Sequence, residues 1–411
     1  MRWFGLSLIF LASGAAAQIT IRFTVPPSQL GTITNAWIEE RALAWAERTG
    51  NRVELAGSFN NTDQILAFSR ERWEAHDPTI DIYAVDVIWA GVFAPYALDL
   101  APYLTQSYRD AVLPQALELG QVGDFQLALP FFGDVGVLFY RADLLRKYGY
   151  SSPPKTWDQL TEMAETIQRR ERSRGQAGFW GYVFQGIEAE ASTVNALEWL
   201  ASEGGEDVLM GRANSAAWLG AQKALARAAG WVGTIAPREV LNYREDDTLR
   251  RFASGRVAFM RNWPNAQALL ADFPQSIGEI EVAPLPGRAV LGGWQLMVSA
   301  YSQHPKEAMD LLFDLTSPAA QRQLAAVGVL PVTRSWPIQG FLARRPYLRQ
   351  VSQGYREAMA RPAQVFGPGY PEASALIAAT VHRVLARQQT PEEGVAELAE
   401  GLARLAQEAR P

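Results

Sequence analysis

Ile19-Thr20-Ile21-Arg22-Phe23-Thr24-Val25 alternates apolar and polar side chains with a period of two, the mark of a β-strand. Pro26-Pro27-Ser28 ends the run. The residues beyond predict a helix with Trp37, Ile38, Ala42 and Trp45 on one face, closed by Thr49-Gly50-Asn51. Val53-Glu54-Leu55 reads as a second strand, residues 63–74 as a second helix and Asp81 to Val87 as a third strand. Strand–helix–strand–helix–strand order places the chain in the α/β class, with a sheet covered on both faces.

Before this core stand Arg2, an apolar stretch from Trp3 to Ala12, and Ala15-Ala16-Ala17 ahead of Gln18. A charged start, an apolar run and a small-residue site describe a signal peptide over residues 1–17, cleaved after Ala17. A short buried N-terminal helix is the alternative. Cysteine is absent, which excludes a lipid-anchored Cys at that site, disulfides and Cys-based metal or nucleophile chemistry. The expected location is therefore the periplasm, without a lipid anchor.

The 411 residues are 48% hydrophobic and 20% charged, ordinary globular values with length for two or three domains or lobes. A formal charge of −5 argues against a nucleic-acid partner. Beyond the start, no apolar run is long enough to span a membrane.

Later helix starts are explicit. Thr156-Trp157-Asp158-Gln159 follows Pro153-Pro154 as a capping box, and Leu160, Met163, Ala164 and Ile167 supply its apolar face. Ser317-Pro318 pairs an N-cap with Pro at the first helical position. Thr390-Pro391-Glu392-Glu393 combines both signals ahead of the stripe Val395, Leu398, Leu402 and Leu405. No repeat or low-complexity linker occurs, so two lobes would be joined by stiff crossings, at Pro130 to Asp134 and near Leu291 to Trp294.

Two tryptophans sit among turn formers, in Arg261-Asn262-Trp263-Pro264-Asn265 and Leu291-Gly292-Gly293-Trp294-Gln295. An indole on a loop offers a flat apolar face and one N–H donor at low entropic cost. That surface suits a ring with an apolar face and a polar rim, such as a sugar. Asp86 ends the third strand, where ligands of α/β sheets collect, and its carboxylate can accept hydrogen bonds from neighbouring hydroxyls. A helix cap or a paired charge is the alternative. Asp134 interrupts the apolar run Leu129 to Tyr140 and needs a cation, donors or a ligand, or else is a turn residue beside Gly133. Trp180, in Gly178-Phe179-Trp180-Gly181-Tyr182, and Phe184 read as core aromatics. Arg361 precedes the loop Gly367-Pro368-Gly369-Tyr370-Pro371 and by itself reads as a surface charge.

Enzyme motifs are sparse. His76, His304 and His382 are the only histidines and none pairs at metal-ligand spacing. A nucleophile elbow, a phosphate loop and a dinucleotide fingerprint are all missing, so neither cofactor nor metal is expected. Asp86 and Asp134 remain conceivable as the acid pair of a glycoside hydrolase.

Taken together, these segments resemble the extracellular solute-binding proteins of ABC sugar importers, most of all the trehalose/maltose-binding type. The resemblance rests on Val85-Asp86-Val87-Ile88-Trp89, Leu129-Pro130 through Tyr140-Arg141, Asp143 to Tyr150, Pro153-Pro154-Lys155-Thr156-Trp157 and Phe179-Trp180-Gly181. It continues through Arg261-Asn262-Trp263-Pro264, Val282-Ala283-Pro284-Leu285-Pro286, Leu291-Gly292-Gly293-Trp294 and Ala360-Arg361-Pro362. It implies a type II two-lobed periplasmic-binding-protein fold, each lobe a mixed sheet flanked by helices. The N-terminal lobe would comprise 18–131 and 295–336, and the C-terminal lobe 132–294 and 337–411. It implies that Asp86 and Asp134 grip sugar hydroxyls and that Trp263 and Trp294 stack on sugar rings. Gly293 would let the backbone approach, Arg361 would reach a hydroxyl from the second lobe, and Phe132 would line the cleft.

Two departures stand out. Members of this type often carry an acid in the loop after the first strand, where Pro26 to Thr32 holds only neutral groups and Gln29 is the candidate. A basic residue is expected after the second strand, where Asn60-Asn61-Thr62-Asp63-Gln64 stands and Gln64 is the candidate. The resulting expectation is a monomeric, non-enzymatic binding protein for a small α-glucoside of the trehalose, maltose, sucrose or palatinose class, serving ABC permease subunits. An exported glycoside hydrolase is one alternative, and a binding protein for a polyol, glycerol phosphate or peptide is another. A phosphate would want more than one cation, and Arg361 is the single candidate.

Overall fold

The computed structural model describes residues 18–27, 32–270, 273, 277–334 and 347–409. The expected signal peptide and Gln29 lie outside them, as does the 336/337 boundary. In chain order the strands are β1 (Thr20–Phe23), β2 (Arg52–Leu55), β3 (Ile82–Asp86), β4 (Gln121–Val122), β5 (Phe125–Gln126) and β6 (Leu129–Val135). They continue with β7 (Val137–Arg141), β8 (Trp180–Val183), β9 (Val257–Asn262), β10 (Ile280–Pro284) and β11 (Leu291–Val298).

Two main sheets result. The first has the order β2-β1-β3-β11-β6, the second β10-β7-β9-β8, and β4 and β5 form a small hairpin. In the first sheet β1 pairs parallel with β2 and β3, while β11 runs antiparallel to β3 and β6. In the second, β8 and β9 are parallel and β7 is antiparallel to both neighbours. Each sheet is mixed and flanked by helices. Every residue of β3, β6, β7, β9 and β11 is buried, because helices cover both faces and only near-continuous apolar runs can fill such strands.

The first strands and helices lie where the sequence placed them. Trp37, Ile38, Ala42 and Trp45 are buried on helix Thr32–Thr49, which packs on helix Pro305–Thr316. Arg41 locks the two together through both oxygens of Asp314. The second lobe centres on an aromatic cluster. Trp157, Tyr182, Phe184, Trp199 and Trp231 lie 5.2–6.3 Å apart between ring centroids. Edge-to-face pairs among them, such as Tyr182–Trp231, Phe184–Trp199 and Trp199–Trp231, each add about 0.5–1.5 kcal/mol beyond burial. The Phe179–Phe184 aromatics are thus core, apart from a partly exposed Trp180 under the Arg172 guanidinium. Helix Pro391–Glu408 starts with the full Thr390/Glu393 capping box and buries Val395, Leu398 and Leu402.

The crossings fall a few residues from the expected hinges. β6 and β11 belong throughout to the first sheet, so boundaries at 131/132 and 294/295 cut through strands. The chain changes sheet at Gly136, between β6 and β7, and returns between β10 and β11. Gly136 presses on a buried ion pair: a Cβ there would lie 2.1 Å from Glu198 Oε1 and 2.7 Å from Arg261 Nη2. A side chain there would have to displace the pair. A third strip runs alongside at Met359, which exchanges backbone hydrogen bonds with Ala289 and Leu291.

Trp294 corrects the loop expectation. It is interior to β11 and 5% exposed. Gly292-Gly293 is not a turn: both glycines pair in register with β6, and a register shift follows between Trp294 and Gln295.

Candidate ligand-binding cleft

Sheet register sets one wall. Trp294 of β11 lies opposite Asp86 on one side and Phe132 on the other, and Gly292 lies opposite Asp134. Asp86, Asp134 and Trp294 therefore project from three adjacent strands at neighbouring levels. The facing wall comes from the second lobe: Trp263 just beyond β9, Glu190 opening helix Glu190–Ala201, and Arg244 to Asp246 at the start of helix Glu245–Ala253. Arg361, on the third strip, closes one end. The space between the walls, open solvent at its mouth included, amounts to about 910 Å³.

Arg361 is not a surface charge. It is 6% exposed, and its Nη2 donates to Asp86 Oδ1 at 2.8 Å while Nη1 donates to Glu190 Oε1 at 2.9 Å. Burial opposes the guanidinium charge, but Asp86 and Glu190 outweigh it and hold its pKa above the ordinary value. For Asp86, burial pushes the carboxyl up and Arg361 pulls it only partly back, so it stays above the ordinary value. Asp134 lacks such a partner. Its one hydrogen bond among the described residues is from the Val135 N–H at 3.0 Å, and burial raises its pKa to about 7. A carboxylate that deep, with a free oxygen on a cavity, is improved by any ligand hydroxyl.

Trp263 is held from several sides. The Arg261 guanidinium sits 4.1 Å from its ring centroid, and Arg261 is fixed by Glu198 at 2.6 and 3.0 Å. Its Nε1 reaches Glu245 Oε1 at 3.4 Å and its backbone N–H donates to Asn262 Oδ1 at 2.8 Å. A Cβ on Gly292 would lie 2.9 Å from the indole, so Gly292 lets the second-lobe ring rest on first-lobe β11. Trp294 meets Trp89 edge-to-face at 5.7 Å.

Six expected residues thus line one cavity: Asp86, Asp134, Trp263, Gly293, Trp294 and Arg361. Three details differ. Gly293 has φ +126°, and a Cβ there would lie 2.4 Å from Phe132 O, so strand pairing, rather than ligand approach, demands the glycine. Phe132 does not reach the cavity: it is buried against Phe131. Gln64 turns back to accept from the Asn60 N–H at 2.8 Å, and Asn61, Thr62 and Asp63 line the cavity instead.

Sequence reasoning missed Glu190, Glu198 and the helix start at Arg244 to Asp246. Arg244 bridges to Asp63 across the mouth at 3.2 Å. Six carboxylates (Asp63, Asp86, Asp134, Glu190, Glu245, Asp246) and two arginines (Arg244, Arg361) line the cavity, a balance that disfavours an anionic ligand.

A family profile described as bacterial extracellular solute-binding protein matches residues 31–322. A probable ABC transporter-binding protein of Deinococcus radiodurans is 36% identical over 414 residues, covering 98% of this chain and 97% of that protein. Among solved structures, maltose-bound T. maritima MalE3 is 29% identical with a TM-score of 0.83, covering 94% of this chain and 100% of that one. A solute-binding protein from Thermotoga lettingae TMO bound with α-D-tagatose gives a TM-score of 0.78 at 23% identity, covering 95% and 100%, and speaks to the fold alone. These relatives are substrate-binding proteins rather than enzymes. The chain therefore belongs to the bacterial extracellular solute-binding proteins, as an ABC transporter substrate-binding protein of the sugar type with the two-lobed MalE-like fold.

Proposed function

We propose that this protein captures a small α-glucoside, of the trehalose, maltose, sucrose or palatinose class, between its lobes and presents it to permease subunits as a monomer in the periplasm, after cleavage behind Ala17. The observation that carries this reading is a buried Asp134, lacking a bonded cation, in one cavity with ion-paired Asp86 and the indoles of Trp263 and Trp294. Asp86 and Asp134 accept sugar hydroxyls. Trp263 and Trp294 supply apolar surface to the sugar rings, Trp294 by its exposed edge. The maltose in T. maritima MalE3 supports the substrate class.

Closure brings the walls together by hinge motion at the sheet crossings around Gly136 and 285–290, and the ligand selects the closed form by bonding to both lobes at once. The test is a thermal-shift panel of trehalose, maltose, sucrose, palatinose, glucose, ribitol and glycerol phosphate, since a ligand that binds only the native state raises apparent stability. The reading expects the largest shift with one of the four disaccharides. A shift confined to ribitol or glycerol phosphate would overturn it.

A further inference from the structure

We propose that Glu190 is a positioning residue for ligand capture: it anchors the far end of the Arg361 guanidinium so that Arg361 engages Asp86 through one oxygen and leaves the other to the ligand. The effect on affinity rests on the sugar-cleft reading above, whereas the anchoring itself does not.

Three elements meet at this point. Asp86 ends β3 in the first lobe, Glu190 opens helix Glu190–Ala201 in the second, and Arg361 stands between them on the third strip. A single carboxylate suffices to neutralise a guanidinium, yet two are bonded here, each to a different Nη. The arrangement is therefore geometric as well as electrostatic. Arg and a carboxylate left to themselves favour a two-pronged pair that uses both oxygens. Among the described residues, both hydrogen bonds to the Asp86 carboxyl group end on Oδ1, from Arg361 Nη2 at 2.8 Å and from the Ile88 N–H at 3.3 Å. Oδ2 accepts from neither Nη: Nη1 is held by Glu190, and in that orientation the buried Nε finds no hydrogen-bond partner either.

Glu190 can hold it because Glu190 is itself fixed. Its Oε1 also accepts from Tyr370 O–H at 2.7 Å, and its Oε2 accepts from Ser374 Oγ. Ser374 is in turn bonded to Thr193 at 3.0 Å. With Oε1 taken by two protein donors and Oε2 by a third, Glu190 acts chiefly through Arg361 rather than on the ligand. Loss of its charge frees the guanidinium to rotate onto Asp86 and take the oxygen that a sugar hydroxyl would use.

The ligand-free test is NMR of protein labelled with 15N-arginine. Wild type should show resolved Arg361 Nη signals, from rotation slowed by pinning at both ends, and Glu190→Gln should merge or broaden them while the fold persists. Unchanged Arg361 signals in Glu190→Gln would overturn the proposal whatever the ligand is. The second arm is a calorimetric double-mutant cycle with maltose. Glu190→Gln should weaken binding about tenfold in the wild-type background and change nothing in Arg361→Met. An equal loss in both backgrounds would show that Glu190 acts without Arg361 and would also overturn it. If no sugar binds wild type, the cleft reading fails, and the NMR arm alone decides the role of Glu190.

Discussion

Two of the buried arginines, Arg261 and Arg361, are built oppositely. Arg261 and Glu198 form a sealed pair inside the second lobe, both side chains 0% exposed, with one cation for one bonded anion. Arg361 serves two carboxylates from two lobes and borders the cavity. The first pair is scaffolding: it props Trp263 from behind and fills the space beneath Gly136. The second is a junction between lobes, with one carboxylate more than it has cations at the cavity wall. A buried ion pair therefore says little about function until its stoichiometry and its exposure to a cavity are known.

This contrast can be broken at either end. Glu198→Gln leaves Arg261 buried without its bonded carboxylate and should destabilise the protein by about 3–5 kcal/mol in denaturant unfolding. Arg361→Met, bordering the cavity, should cost less stability than Glu198→Gln and more affinity. The reverse order would dissolve the distinction.

Asp134→Asn should raise ligand-free stability at neutral pH and above while weakening binding. The folded pKa of about 7 lies above the ordinary value of 3.8, so the carboxyl's contribution is fully present below the unfolded value and is lost as pH rises through 7. The variant should therefore match wild type near pH 4 and exceed it at pH 8 by up to about 4 kcal/mol, the full linkage at 1.36 kcal/mol per unit. Trp263→Ala should weaken sugar binding by about 2 kcal/mol or more, roughly 30-fold, as removal of a central aromatic does.

Gly91→Ala probes contact between the short helix Ala90–Phe93 and the segment Gly367–Gly369. A Cβ there would lie 2.4 Å from the Gly367 carbonyl carbon, and overpacking against backbone should cost about 1–3 kcal/mol in unfolding. Asp63→Asn, which removes the half-exposed bridge to Arg244, should change affinity by no more than about 1 kcal/mol.

How much of this was legible in the sequence follows from the range of each signal. β1 and helix Thr32–Thr49 announce themselves by local periodicity and by Pro, Gly and Asn at their ends. Asp86 and Asp134 stand out because a charge inside an apolar run is locally anomalous. Trp294 was misassigned to a loop because Gly-Gly normally signals a turn, whereas here strand pairing with β6 draws the glycines into β11. Glu190 carries no local signal at all, since an acid at a helix start is commonplace. Its role comes from Arg361, 171 positions away. Glu198 could have been suspected, as the single charge in the otherwise uncharged run from Ala191 to Ala201.

The most direct test of the central claim is calorimetric titration of maltose against wild type and Asp134→Asn at pH 6 and pH 8. If a sugar hydroxyl donates to the Asp134 carboxylate, the ligand prefers the ionised form, and wild-type affinity should rise about tenfold between those values around a pKa of about 7. The asparagine variant should bind weakly and without that dependence. Wild-type affinity in the variant, or a flat pH profile in the wild type, would contradict the account.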